Sequence, residues 1–124
     1  MTDPSDTDDV DGTAAATAAP ADLWTTVDGL WQWLETHRGP DSRGPAEALL
    51  LRMLKLSEEV GEVAQAVIGA TGQNPRKGVT HTWQDVESEL CDVVITALIA
   101  LRTLTPDTRE VFMTHLARVA ARSA

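Results

Sequence analysis

An all-α bundle of four helices follows from three features of this 124-residue chain. Apolar residues recur at three- and four-residue spacing in four separate segments, and clusters of Gly and Pro punctuate those segments. No run alternates apolar and polar residues with period two for long enough to make a strand. Helices joined by short connections pack as neighbours around one core. The chain carries no internal repeat of solenoid length.

Residues 1–20 hold five Asp, no Lys or Arg, and almost nothing large enough to bury. Such a segment cannot offset its own ordering entropy, so it reads as a disordered acidic tail ahead of a helical domain over residues 21–124. The first helix is expected from about Asp22 to His37, with Leu23, Val27, Leu30, Trp31 and Leu34 on one stripe. Arg38-Gly39-Pro40 ends it, and residues 41–45 make a turn. Pro45 suits the first turn of a second helix, which runs to about Gly69. Residues 70–79 form a basic loop with Gly72, Pro75 and Gly78 beside Arg76 and Lys77. The third helix takes its N-cap from Thr80 to Thr82, gains from Asp85 near its positive end, and continues to about Leu104. Thr105-Pro106-Asp107 caps a fourth, which runs to about Ala121 with Val111, Phe112, Leu116 and Val119 on one side.

Charge and cysteine content exclude several classes. The chain has 19 acidic and 10 basic side chains for a net charge of −9; the tail accounts for −5, leaving −4 on the other 104 residues. A duplex nucleic-acid binder needs a basic footprint instead. Cys91 stands alone, which excludes a disulfide framework or a four-cysteine zinc site and fits a reducing compartment. No run of about 18 apolar residues is available to cross a bilayer, and no basic-then-apolar leader opens the chain. The expected location is the cytoplasm, without a membrane partner. After Asp92 the third helix is apolar on every side, from Val93 to Leu101. Leaving two or three Leu or Ile side chains wet would cost several kcal/mol at ~25 cal/mol per Å², comparable to the stability of a small domain. A homo-oligomer is therefore expected.

Chemistry is concentrated in two carboxylate pairs. Glu59 and Glu62 lie three residues apart in the second helix, and Glu89 and Asp92 lie three apart in the third. Such pairs share one helix side, with Cβ atoms about 5–6 Å apart. Both fall at the same edge of a matching apolar stripe: Met53, Leu56, Val60, Val63, Ala64 and Val67 on the second helix, and Val86, Leu90, Val93, Val94, Ala97 and Leu101 on the third. Packed side by side, the helices bring four carboxylates together. Crowded carboxylates repel one another unless protons or a cation compensate, and a hard divalent ion, Mg²⁺ or Mn²⁺, suits four oxygen ligands. Mg²⁺ is commonly shared with phosphates, so a phosphoryl substrate is the natural partner. The plain alternative is a solvated acidic face, with Glu59 paired to Lys55 one turn earlier. Di-iron bundles also gather carboxylates, but they pair Glu with a His three residues on, a pattern absent here. Glu58 lies on another side of its helix, where it has three options: a second metal, a base for a water, or solvent.

Glu58-Glu59-Val60-Gly61-Glu62, then 26 residues, then Glu89-Leu90-Cys91-Asp92, resembles the EExxE…ExxD signature of the MazG-like, all-α nucleoside triphosphate pyrophosphohydrolases. The resemblance spans roughly Leu23 to Arg118. It implies that Glu59, Glu62, Glu89 and Asp92 hold Mg²⁺, and that the helical bundle forms a homodimer or homotetramer. It further implies hydrolysis between the α- and β-phosphates of a nucleotide to monophosphate and pyrophosphate, with Glu58 or Glu59 polarising the attacking water. Relatives carry Lys, Asn and Arg on the fourth helix to hold phosphates and sugar. Here residues 114–122 retain Arg118 and Arg122 but have neither Lys nor Asn.

That departure sustains an alternative function, a catalytically weak metal- or nucleotide-binding regulatory or scaffold protein. Further candidate substrate contacts are Lys55, one turn before Glu59, and Lys77, which with Arg76 either closes over phosphates from its loop or merely solvates that loop. Trp33 falls off the first-helix stripe, where it can stack on a base or make a subunit contact; Trp31 is expected in the core. Trp24 and Trp83 complete the set of four. His37, His81 and His115 have no ligand spacing, and Cys91 is expected to be a small buried residue.

Overall fold

The computed structural model describes residues 22–39 and 44–123. The acidic segment 1–20, and the centre of the turn at 40–43, lie outside the described residues. Four α-helices follow in order: α1 (Leu23–Thr36), α2 (Pro45–Thr71), α3 (Trp83–Leu104) and α4 (Thr108–Arg122). Among the described residues there is no strand.

Local chemistry accounts for the helix ends. The Thr25 N–H donates to Asp22 Oδ2 at 3.4 Å, capping α1. Pro45 opens α2, whose end runs two residues past Gly69 to a left-handed Gly72 at φ 62°. The Gly72 and Gln73 N–H groups both turn back to the Ile68 carbonyl. Thr82 is the cap of α3: its Oγ1 accepts from the Asp85 N–H at 3.2 Å, and its own N–H donates to Asp85 Oδ2 at 2.8 Å. The backbone bond from Thr82 holds the Asp85 carboxyl below the usual carboxylate range, with a second bond to the Thr82 side chain adding to this.

The α2–α3 pair is the principal interface, α1 rests on α3, and α4 touches α3 lightly. Two arginines fasten α1. Arg102 of α3 donates to Asp28 Oδ1 at 2.6 Å and lies 3.8 Å over the Trp31 ring. Arg52 of α2 reaches Glu35 at 2.9 Å and the Thr103 hydroxyl at 2.6 Å. Trp31 is thus half-buried beneath a guanidinium, where the sequence placed it in the core.

The buried apolar set is small: Val27, Ala48, Ala66, Val86, Leu98 and Ala100. The buried residues of α2 are Ala48, Glu59, Ala66 and Gly69, all small apart from the glutamate. The expected stripes are covered only in part, since Met53, Val60, Leu90 and Val94 stay exposed. The carboxylates therefore lie in the helix–helix contact, and the larger apolar residues flank it. The apolar side of α4, from Val111 to Val119, is also exposed. Cys91 is exposed rather than buried, because its side of α3 points away from α2.

Candidate metal centre

Each carboxylate stands where helical geometry puts it. On α2, Glu59 is buried to 8% exposure and aims straight at α3. Across the interface, half-buried Glu89 and exposed Asp92 answer it one turn apart on α3. One oxygen from each of Glu59, Glu89 and Asp92 lies within 4.8 Å of the others. Glu62, expected as a fourth ligand, is outside this group of three, although it lies next to Glu59. A hydrogen bond with Glu59 raises its carboxyl above the ordinary range, and partial loss of water and the charges of Glu59 and Glu89 push it the same way.

The charge balance on this cluster is incomplete. Lys55 Nζ sits 3.3 Å from Glu59 Oε1 and 3.6 Å from Glu58, so the expected one-turn ion pair forms. Its bond to Glu59 and the nearby Glu58 and Glu59 charges raise the Lys55 ammonium above its ordinary value. Lys55 is half in solvent and meets only one edge of the group. The Oε2 atoms of Glu59 and Glu89 are both buried and have no hydrogen-bond partner. A buried acceptor left in that condition costs on the order of 1–3 kcal/mol, more when charged. Oxygen donors at this spacing, two of them wanting a partner, fit a hard divalent cation.

The other candidates are dispersed. Glu58 is exposed and tied to Lys55. Trp33 is exposed on α1 and stacks on His37 with ring centroids 4.4 Å apart. Arg118 lines a shallow depression made by α4 alone, with Glu110 and His115. Lys77 lines a cavity between the end of α2 and the α2–α3 loop, with Gln65, Asn74, Thr80 and His81. The sequence pattern marks none of those four as a ligand contact. The available signal was Gly69, a helical residue without a side chain facing the start of α3.

No family model, curated protein or solved structure matches the chain. The fold and site define an all-α domain with a convergent carboxylate cluster at its main helix–helix contact.

Proposed function

We propose that this chain is a Mg²⁺-dependent nucleotide pyrophosphohydrolase of the MazG-like type, splitting a nucleotide between its α- and β-phosphates. The observation that carries this reading is the convergence of Glu59, Glu89 and Asp92 within 4.8 Å, with two buried carboxylate oxygens lacking partners. The spacing of the two motifs, which resembles EExxE…ExxD, supports it independently.

Glu59, Glu62, Glu89 and Asp92 would hold the ion. Bound there, Mg²⁺ supplies charge neutralisation for the phosphates and a polarised water. The residues of the chain do the rest. Rigid α2 and α3 fix the carboxylates before substrate arrives, so little reorganisation is needed during reaction. Glu58, exposed beside the cluster, accepts a proton from the attacking water. Lys55 screens the edge of the cluster and is within reach of a phosphate oxygen.

A homo-oligomer belongs to the same reading. Val60 and Val94 are 53% and 56% exposed, and no large side chain is fully buried among the described residues. A second copy laid against this α2–α3 face would remove that apolar surface from water. A catalytically weak regulatory or scaffold protein is the second reading. It is favoured by an α4 that lacks the Lys and Asn of active relatives and makes only light contact with α3.

Pyrophosphate release measured over canonical and modified nucleotides with Mg²⁺ tests the proposal. Turnover that depends on Glu59 supports it. No turnover of any substrate, with metal binding intact, overturns hydrolysis in favour of the second reading.

A further inference from the structure

A cavity of about 370 Å³ lies where the end of α2 meets the α2–α3 loop. Two of its lining residues, Gln65 and Gly69, continue the side of α2 that carries Glu58 and Glu62 next to the carboxylate group. Glu58, Glu62, Gln65 and Gly69 succeed one another at four-, three- and four-residue steps, the spacing of one helix side. At 1.5 Å per residue, Gln65 is ~4.5 Å and Gly69 ~10 Å along the axis from Glu62.

The walls are built rather than incidental. The Thr80 N–H donates to the Gly69 carbonyl at 3.0 Å, bringing the loop onto the helix backbone. A Cβ at Gly69 would stand 2.1 Å from His81 Nδ1 and 2.5 Å from Thr80 Oγ1, so only glycine admits this approach. Thr80 Oγ1 and His81 Nδ1 are 2.9 Å apart. The Asn74 carbonyl accepts from both the Lys77 and Gly78 N–H groups, at 3.1 and 3.0 Å, and shapes the opposite wall. Ile68 adds an apolar surface.

We propose that this cavity receives the nucleoside end, base and sugar, of the nucleotide whose phosphates meet the carboxylate cluster. The proposal rests on the metal-centre reading given above. The lining favours the nucleoside over the phosphate tail. Gln65, Thr80 and His81 offer donors and acceptors suited to a base edge or sugar hydroxyls. Lys77 is the single cation, too little for a pyrophosphate tail lying close to Glu62. The volume falls at the small end of the ~300–1,000 Å³ typical of ligand pockets, as one nucleoside requires.

The test uses the full chain in two stages. Calorimetry with Mn²⁺ alone comes first, and failure to bind there overturns the metal centre and this subsite together. With Mg²⁺ present, nucleoside 5′-monophosphates and inorganic pyrophosphate are then titrated separately while backbone amide NMR signals are followed. The monophosphates are expected to move the Gly69, Lys77 and Gly78 amides, and pyrophosphate to leave them in place. Gln65→Ala and Lys77→Ala, both at exposed positions, should each weaken monophosphate binding about three- to tenfold with Mn²⁺ affinity unchanged. Intact Mn²⁺ binding with these amides responding to pyrophosphate alone, or both variants binding monophosphates as the parent does, overturns the subsite and spares the metal centre.

Discussion

Replacing Glu59 by Gln removes one negative charge from the middle of the cluster while keeping its shape. Glu59 is within 4.8 Å of both Glu89 and Asp92. At an effective dielectric of ~20, one such pair repels by ~3 kcal/mol. Asp92 is exposed, which reduces its share to ~1 kcal/mol, and loss of the half-solvated Lys55 contact offsets part of the relief. Relief of about 3 kcal/mol is the expected net effect without metal, a rise in Tm of ~15 °C for a domain of this size. Divalent ions should act oppositely on the two proteins. At free Mg²⁺ about 100 times its dissociation constant, the parent gains ~2.7 kcal/mol through linkage and melts near or above the metal-free variant. Glu59→Gln, short of one ligand and with less charge to neutralise, should gain little. Thermal unfolding followed by circular dichroism, at constant ionic strength so that general screening cancels, reads both shifts. Equal responses of parent and variant to Mg²⁺, or no response in either, would refute the metal centre and leave a solvated acidic interface.

Two glycines of α2 should behave in opposite ways. Nothing lies within 4 Å of a Cβ at Gly61, so Gly61→Ala should raise stability by ~0.5–1 kcal/mol through helix propensity. Gly69→Ala meets the His81 ring, and its overpacking cost of ~1–3 kcal/mol outweighs the propensity gain; urea midpoints measure both. Thr82→Ala should cost ~1 kcal/mol by removing the α3 cap. The Asp85 carboxyl is held below its unfolded value, so the folded chain binds fewer protons than the unfolded one in that window. Its stabilisation is present above the unfolded pKa and fades as pH falls through the folded one. Asp85→Asn should therefore flatten the acid limb of a stability–pH curve. Val94→Glu on the exposed α3 face should reduce the mass measured by sedimentation to that of one chain, whereas a parent already monomeric would remove the case for an oligomer.

Helix positions were legible because their signals are local. Pro45 and Thr82 act within one turn, so α3 keeps its expected bounds and α2 runs only two residues past Gly69, where the left-handed Gly72 ends it. The convergence of Glu59, Glu89 and Asp92 was legible for a related reason, since helical spacing needs only side-by-side packing of the two rods, but Glu62, expected with them, falls outside the group. Which face would be buried was not. Periodicity puts α2's apolar stripe through Met53, Val60 and Ala64, yet the residues of α2 that are buried are Ala48, Glu59, Ala66 and Gly69. Large side chains signal burial of some kind, but closest approach between two helices is set by the smallest ones, which a hydropathy pattern ranks low. Cys91 and Trp31 were misplaced by the same substitution of pattern for packing. The cavity beside Gly69 depends on how a loop folds back over a helix end, and no periodic signal encodes that.

The interface itself weighs against a merely solvated acidic face. A chain whose stability rests on so few buried apolar residues places Glu59 in its tightest helix–helix contact and leaves Leu54, Val60 and Val94 outside. For one chain considered only as a folded object this arrangement is unfavourable twice over, through buried like charges and through wet aliphatic surface. Each unfavourable element has a different remedy. A cation between the carboxylates relieves the first, and a second copy on the flanking apolar face relieves the second. Because α2 and α3 carry both features on adjoining faces, the two remedies are mechanically joined. On the proposed reading, an ion that drew α2 and α3 together would also set the surface on which a second copy would pack. Mg²⁺ should therefore tighten self-association in the parent and leave that of Glu59→Gln unchanged, a coupling that sedimentation equilibrium with and without the ion reads directly.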